Sequence, residues 1–196
     1  MKKLRGILPL FFALLLFGCV TSSPAGLPFK RLSNDQFELG KTTRAEIEAI
    51  MGKPGRGTKS VSNGKTINTT QYDYVSRSPN NQLLVKVQNF FFYKNVLVGQ
   101  FYSSNFEQDS TDFDDEQIES IQKGKTKIDE VIKKLGAPSG EAMYPLTGSE
   151  DEQKLMYFYP KSHDNATFYT KEATIFYKSN GIVSNITFTD HFPAEN

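Results

Sequence analysis

The apolar residues Ile128, Val131, Ile132 and Leu135 recur at the i, i+3, i+4, i+7 spacing of one buried helical face, with Thr126 ahead of them as the cap. Gly136 followed by Ala137-Pro138 ends that pattern, because a chain that turns left-handed and then meets proline does not continue as helix. Ile47, Ile50 and Met51 trace a similar face after Thr42 or Thr43, and Gly52-Lys53-Pro54 stops it. Ile47 with Val131, and Met51 with Leu135, are the expected equivalent core positions. Shorter helical stretches are expected over residues 34–39 and 112–122, the latter turning Phe113, Ile118 and Ile121 inward. Beyond each Gly-x-Pro the hydrophobic period changes to two and the residues favour strands. These fall at 70–75, 83–93 and 96–103, then at 155–159, 167–177 and 182–189. Asn180-Gly181 between the last two runs is a type I′ hairpin signal, and Lys94-Asn95 holds the corresponding place upstream.

The two halves of this pattern are copies. Gly40, Lys41, Thr42, Glu46, Gly52 and Pro54 match Gly124, Lys125, Thr126, Glu130, Gly136 and Pro138, every pair at an offset of 84, and Phe92-Tyr93-Lys94 recurs at that offset as Phe176-Tyr177-Lys178. Register kept over so long a span marks an internal duplication. The expected fold class is therefore α+β: two tandem α-α-β-β-β modules with antiparallel sheets and helices packed on one face. The expected division is a signal peptide over residues 1–18, a lipidated cysteine and flexible tether over 19–33, and a first module over 34–104. An acidic linker that opens the second module follows over 105–120, and the rest of that module over 121–196.

At the N-terminus Lys2, Lys3 and Arg5 precede an apolar run from Ile7 to Phe17. The run is shorter than the ~20 residues that span a bilayer and has the charge and length of a secretory signal. Leu16-Phe17-Gly18-Cys19 resembles a bacterial lipobox, with Phe17 where a small residue is usual. That resemblance implies cleavage after Gly18 and acylation of Cys19, and two or more acyl chains anchor a protein stably. Cys19 is the chain's single cysteine, so no disulfide is expected. Val20 is not the Asp that resembles an inner-membrane retention signal. The expected location is thus the periplasmic face of the outer membrane in a cell with two membranes, and otherwise the cell membrane. Loss of residues 1–18 turns the formal net charge of +1 to about −2, without the basic stripe that nucleic-acid binding needs.

The string Gly-x-Thr, four residues, Ile or Val, then Met or Leu-Gly-x-Pro, carried by Gly40, Thr42, Ile47, Met51, Gly52 and Pro54 and again by Gly124, Thr126, Val131, Leu135, Gly136 and Pro138, resembles the SmpA/OmlA family of outer-membrane lipoproteins. Proteins of that family usually carry one such unit. A tandem pair resembles the β-lactamase inhibitory protein fold, whose joined sheets grip a partner enzyme. These resemblances imply a role in outer-membrane assembly or maintenance, or inhibition of an enzyme.

Catalytic and metal chemistry is not evident. The acidic stretch from Glu107 to Glu119 puts Asp114 and Ser120 where an EF-hand loop beginning at Asp109 needs Gly and Glu. Its leading reading is a solvated linker between the repeats that caps the next helix, with a loose calcium site as the alternative. His163 and His191 each stand beside an aspartate, Asp164 and Asp190, with no serine elbow to complete a triad. Gly40-Lys41-Thr42 lacks the upstream glycine of a phosphate loop, Asp35 standing there. No cofactor, nucleic acid or small-molecule substrate is expected. The 16 Phe and 9 Tyr with no Trp point instead to protein contact, because tyrosine is enriched where proteins meet. Tyr72, Tyr74, Tyr157 and Tyr159 are the candidate partner-binding residues, with packing against the helices as the competing reading. The functional expectation is a non-enzymatic envelope lipoprotein that binds another envelope protein as scaffold or adaptor. The alternative is an inhibitor of a periplasmic or extracellular enzyme such as a β-lactamase or peptidoglycan enzyme.

Overall fold

The computed structural model describes residues 25–109, 112–162 and 168–191. Its strands are β1 (Ala25–Gly26), β2 (Arg56–Ser62), β3 (Lys65–Arg77), β4 (Leu83–Tyr93), β5 (Val96–Ser104), β6 (Gly140–Met143), β7 (Glu152–Ser162), β8 (Phe168–Lys178) and β9 (Val183–Asp190). The helices are α1 (Arg44–Met51), α2 (Asp115–Glu119) and α3 (Ile128–Leu135), with a 3-10 turn at Asn34–Gln36. All strands join one antiparallel sheet in the order β1-β3-β4-β5-β6-β7-β8-β9, and β2 also pairs with β3. β6 makes the sheet continuous. It pairs with β5 through Gly99↔Ala142 to Phe101↔Gly140 and with β7 through Gly140↔Met156 to Met143↔Gln153.

This corrects the expected fold class. Among the described residues the structure is mostly antiparallel sheet, 49% strand against 15% helix, rather than two tandem α-α-β-β-β modules with helices packed on a face. The physical reason is length. The stretch expected over 34–39 makes only the three-residue turn, that over 112–122 condenses to five residues, and α1 buries a single side chain, Ile47. Eight residues are about two turns, too few to form a layer of their own. Strands β1, β2 and β6 were unforeseen, although Asn63-Gly64, with φ of 48° and 68°, is the turn signal that closes β2 onto β3.

Helix boundaries follow from local chemistry. Thr43 caps α1 in a reciprocal box, its hydroxyl accepting from the Glu46 N–H at 3.3 Å while Glu46 Oε2 accepts from the Thr43 N–H at 2.8 Å. Thr126 does not cap α3, whose N-cap is Lys127. It matches Thr42 instead, since each hydroxyl accepts a backbone N–H four residues upstream, from Gln122 and Glu38, at 2.8 Å. Gly52 and Gly136 end the two helices at φ of 79° and 80°, a left-handed turn that a Cβ would strain. Of the turn signals, Lys94 and Asn95 both take positive φ, whereas at Asn180-Gly181 only Gly181 does.

Two apolar clusters form the core. One gathers Leu32, Phe37 and Ile47 with Tyr72, Phe90, Phe92 and Leu97; the other gathers Phe113, Ile118, Ile121, Val131 and Leu135 with Leu155, Tyr157 and Ile175. Ile50 and Ile132 stay exposed, because a helix that touches the sheet along one line buries only a narrow stripe. The segment expected as tether over 19–33 is docked from Ala25 onward. β1 pairs with Val75 and Tyr74, and Leu32 is buried with its N–H and C=O both bonded to the Gln88 side chain at 2.9 Å.

The acidic stretch keeps Glu107, Asp112, Asp114, Glu116 and Glu119 exposed, and Asp114 caps α2 by accepting from the Glu116 N–H at 2.9 Å, while three of its aspartates also meet lysines. Lys171 Nζ lies 2.6 Å from Asp112 and 2.8 Å from Asp115, and Lys86 Nζ lies 3.7 Å from Asp109. Burial lowers the Lys171 pKa, but hydrogen bonds and charge from the two aspartates outweigh it and leave the group above its ordinary value. Among the described residues no three His, Cys, Asp or Glu side chains converge to hold a metal ion.

Candidate functional site

Alternation along each strand sorts the sheet's side chains onto two faces. The four tyrosines singled out from the sequence all lie on the face that carries the apolar clusters, in register with Gln88, Lys86, Ala173 and Lys171. Tyr72 and Tyr157 are core residues, 5% and 3% exposed. Their hydroxyls tie down the helix ends, Tyr72 donating to the Gly52 carbonyl at 2.7 Å and Tyr157 to the Gly136 carbonyl at 3.2 Å. Burial pushes the Tyr72 pKa up to about 12 and raises that of Tyr157 as well. Tyr74 is half-buried and stacks on Phe106 with centroids 6.0 Å apart, and Tyr159 packs against the second cluster. None of the four is an exposed anchor, because they share parity with Phe90 and Ile175, the residues on which the core is built.

The opposite face has a different character. Phe91, Gly99, Ala142, Lys154 and Phe176 form one cross-strand row from β4 to β8, and Asn89, Phe101, Gly140, Met156 and Thr174 form the next. Phe158 follows along β7 and meets Phe101 edge-on, with centroids 5.7 Å apart. Phe101 and Met156 crowd over Gly140, where a Cβ would stand 2.9 Å from each. Gly99 likewise makes room for Leu146, whose Cδ1 would stand 2.8 Å from an added Cβ. The loop between β6 and β7 thus covers one corner of the face. It is fastened there by Ser62 and Asn63, which donate to the Pro145 carbonyl at 2.6 and 3.0 Å. The buried residues of the helices belong to the clusters on the other side. Phe91, Phe101, Met156, Phe158 and Phe176 therefore remain only half-buried.

Sequence reasoning missed these residues. The available signal was Phe90-Phe91-Phe92, in which alternation must send the middle ring to the face opposite the other two, but period two by itself does not say which face is covered. Of the other residues considered, Cys19, His163 and Asp164 lie outside the described residues. His191 is exposed, its backbone N–H donating to the Thr170 carbonyl at 2.9 Å.

No protein-family model matches the chain, and none therefore supports the SmpA/OmlA resemblance; no curated protein matches either. Among solved structures, the chain is similar to a "putative beta-lactamase inhibitor protein" from Streptococcus mutans at 17% identity and a TM-score of 0.47, over 83% of this chain and 91% of that one.

Proposed function

We propose that the protein is a non-enzymatic binding protein that receives another envelope protein on the helix-free face of its sheet and is held at the membrane by lipid on Cys19. The supporting observation is the half-exposed group of Phe101, Met156 and Phe158, beside a row that has Phe91 on β4 and Phe176 on β8 half-exposed at its ends and Gly99 and Ala142 buried at its middle, where Leu146 lies over Gly99. Aromatic side chains and methionine are the residues enriched at interfaces, where they supply contact area at low entropic cost. An apolar group left half-open to water is a common mark of an interaction surface. The lipobox residues Leu16 to Cys19 support the anchor, and the outer membrane is the proposed location because Val20 follows the cysteine.

The test is site-specific photo-cross-linking in intact cells. A photoreactive phenylalanine at position 158 or 101 is expected to capture one discrete envelope protein, and the same probe at Ile132 is expected to capture none. Capture of a barrel-assembly component supports the adaptor role, whereas capture of a hydrolase whose activity falls on binding identifies an inhibitor. Equal capture from position 132 overturns the binding-face reading. Cys19→Ser is expected to abolish lipid labelling, and recovery of the native chain in the inner membrane would overturn the proposed location.

A further inference from the structure

Lys154 stands in the row Ala142-Lys154-Phe176, one position along β7 from Met156 and two from Phe158 on the same face. It is half-buried, and among the described residues no carboxylate comes within ion-pair distance of its ammonium group. Its nearest acid along the strand, Glu152, is already engaged: Oε1 accepts from the Ser184 hydroxyl at 3.3 Å and lies 3.8 Å from Lys178 Nζ, while Oε2 accepts from the Gly148 N–H at 3.1 Å. The covered face of the sheet treats its lysines differently, since Lys86 has Asp109 and Lys171 has Asp112 and Asp115. Burial pulls the Lys154 pKa below its ordinary value, with Glu152 opposing that only in part. A lysine half-buried on a largely apolar face, with no carboxylate partner among the described residues, loses part of its hydration for nothing if the face is meant for a purely apolar partner.

We infer that Lys154 is the charge-reading position of the face and that the partner presents an aspartate or glutamate carboxylate there, flanked by apolar side chains that lie on Phe101, Phe158 and Phe176. Water excluded by the rings strengthens the pair on both sides, because a desolvated charge pair at an interface is far stronger than one at its rim. The pair sets specificity: a basic loop of the same shape is rejected by like charge. This inference rests on the binding-face reading, and its test separates the two.

A random dodecapeptide library is selected against the full-length chain in detergent micelles, and the enriched peptides are titrated against the wild type and against Lys154→Gln, Lys154→Glu and Phe158→Ser. The expected result is that Asp or Glu is enriched next to apolar residues, that binding falls tenfold or more in Lys154→Gln, and that selection on Lys154→Glu enriches Lys or Arg instead. Peptides lost on Phe158→Ser but without an enriched carboxylate, and bound equally by Lys154→Gln, overturn the inference and leave the binding face standing. Absence of any binder sensitive to Phe158→Ser overturns both. So does self-association lost on Phe158→Ser, which makes a second copy the occupant, or equivalent binding of phosphatidylglycerol vesicles, which makes it a lipid surface.

Discussion

Replacing Gln88 by leucine is expected to release the N-terminal segment from the sheet without dissolving the second apolar cluster. Gln88 is fully buried, and its amide bonds to Leu32 on both sides, accepting from the N–H and donating to the C=O at 2.9 Å each. Leucine fills similar volume but offers neither group, so two backbone groups of a residue only 3% exposed lose their partners. Each buried polar group left unpaired costs about 1–3 kcal/mol, giving about 2–6 kcal/mol for the pair, and the apolar gain from leucine offsets only part of it. The contacts that remain are weaker. They include a two-residue strand, the Arg31 bond to the Pro138 carbonyl at 2.8 Å, Arg31 over the Tyr102 ring at 4.9 Å, the Gln100 amide donating to Asn34 at 3.2 Å, and Phe29 against Tyr72 with centroids 6.3 Å apart. Local opening should therefore come before global unfolding. Hydrogen exchange read by mass spectrometry should show amides of residues 25–36 losing protection by a factor of thirty or more, while those of α3, β7 and β8 keep theirs. The melting temperature should fall by about 5–15 °C, at roughly 2–4 °C per kcal/mol for a chain of this size. Unchanged protection at Leu32, or equal loss throughout the sheet, would refute the assignment of Gln88 as the local fastening.

Tyr72→Ala and Tyr157→Ala should each destabilise the fold by about 3–5 kcal/mol, the cost of emptying a buried aromatic site, seen as an earlier urea midpoint. Once folded, these variants should keep partner affinity, which is measured beside the Phe158→Ser control. Lys171 is held above its ordinary pKa of 10.5 and Tyr72 near 12 against its ordinary 10.0. A raised pKa stabilises the fold at pH below the unfolded value, and that stability is lost as pH rises through the folded value. Denaturant midpoints should therefore fall above about pH 10, and Lys171→Met combined with Tyr72→Phe should flatten that alkaline limb. Gly52→Ala and Gly136→Ala meet no atom within 4 Å, but φ near +80° with ψ of −168° and −165° is backbone that essentially only glycine adopts, so each should cost about 1–3 kcal/mol from backbone strain, checked by thermal melting.

Much of the local structure was legible in the chain because its causes are local. The stops at Gly52 and Gly136 come from a left-handed turn followed by proline, and the strands from 83 to 104 and 168 to 190 come from alternation in β-favouring residues. Ile47, Val131 and Leu135 read as core for the same reason, since helical spacing marks the inner stripe. Tertiary structure decided what these pieces amount to. Gly140 to Met143 carries little apolar signal, yet it pairs on both sides and is the strand that joins the sheets of the two halves into one, a choice made by long-range hydrogen bonding that no window of sequence contains. Alternation placed Tyr72 and Tyr157 each on one face of a strand. Which face the helices and the docked N-terminal segment cover was settled only when those elements packed, and that buried the tyrosines and left Phe101, Phe158 and Lys154 open. Period two divides side chains into two sets with equal authority, and burial is a property of whatever lies against each set.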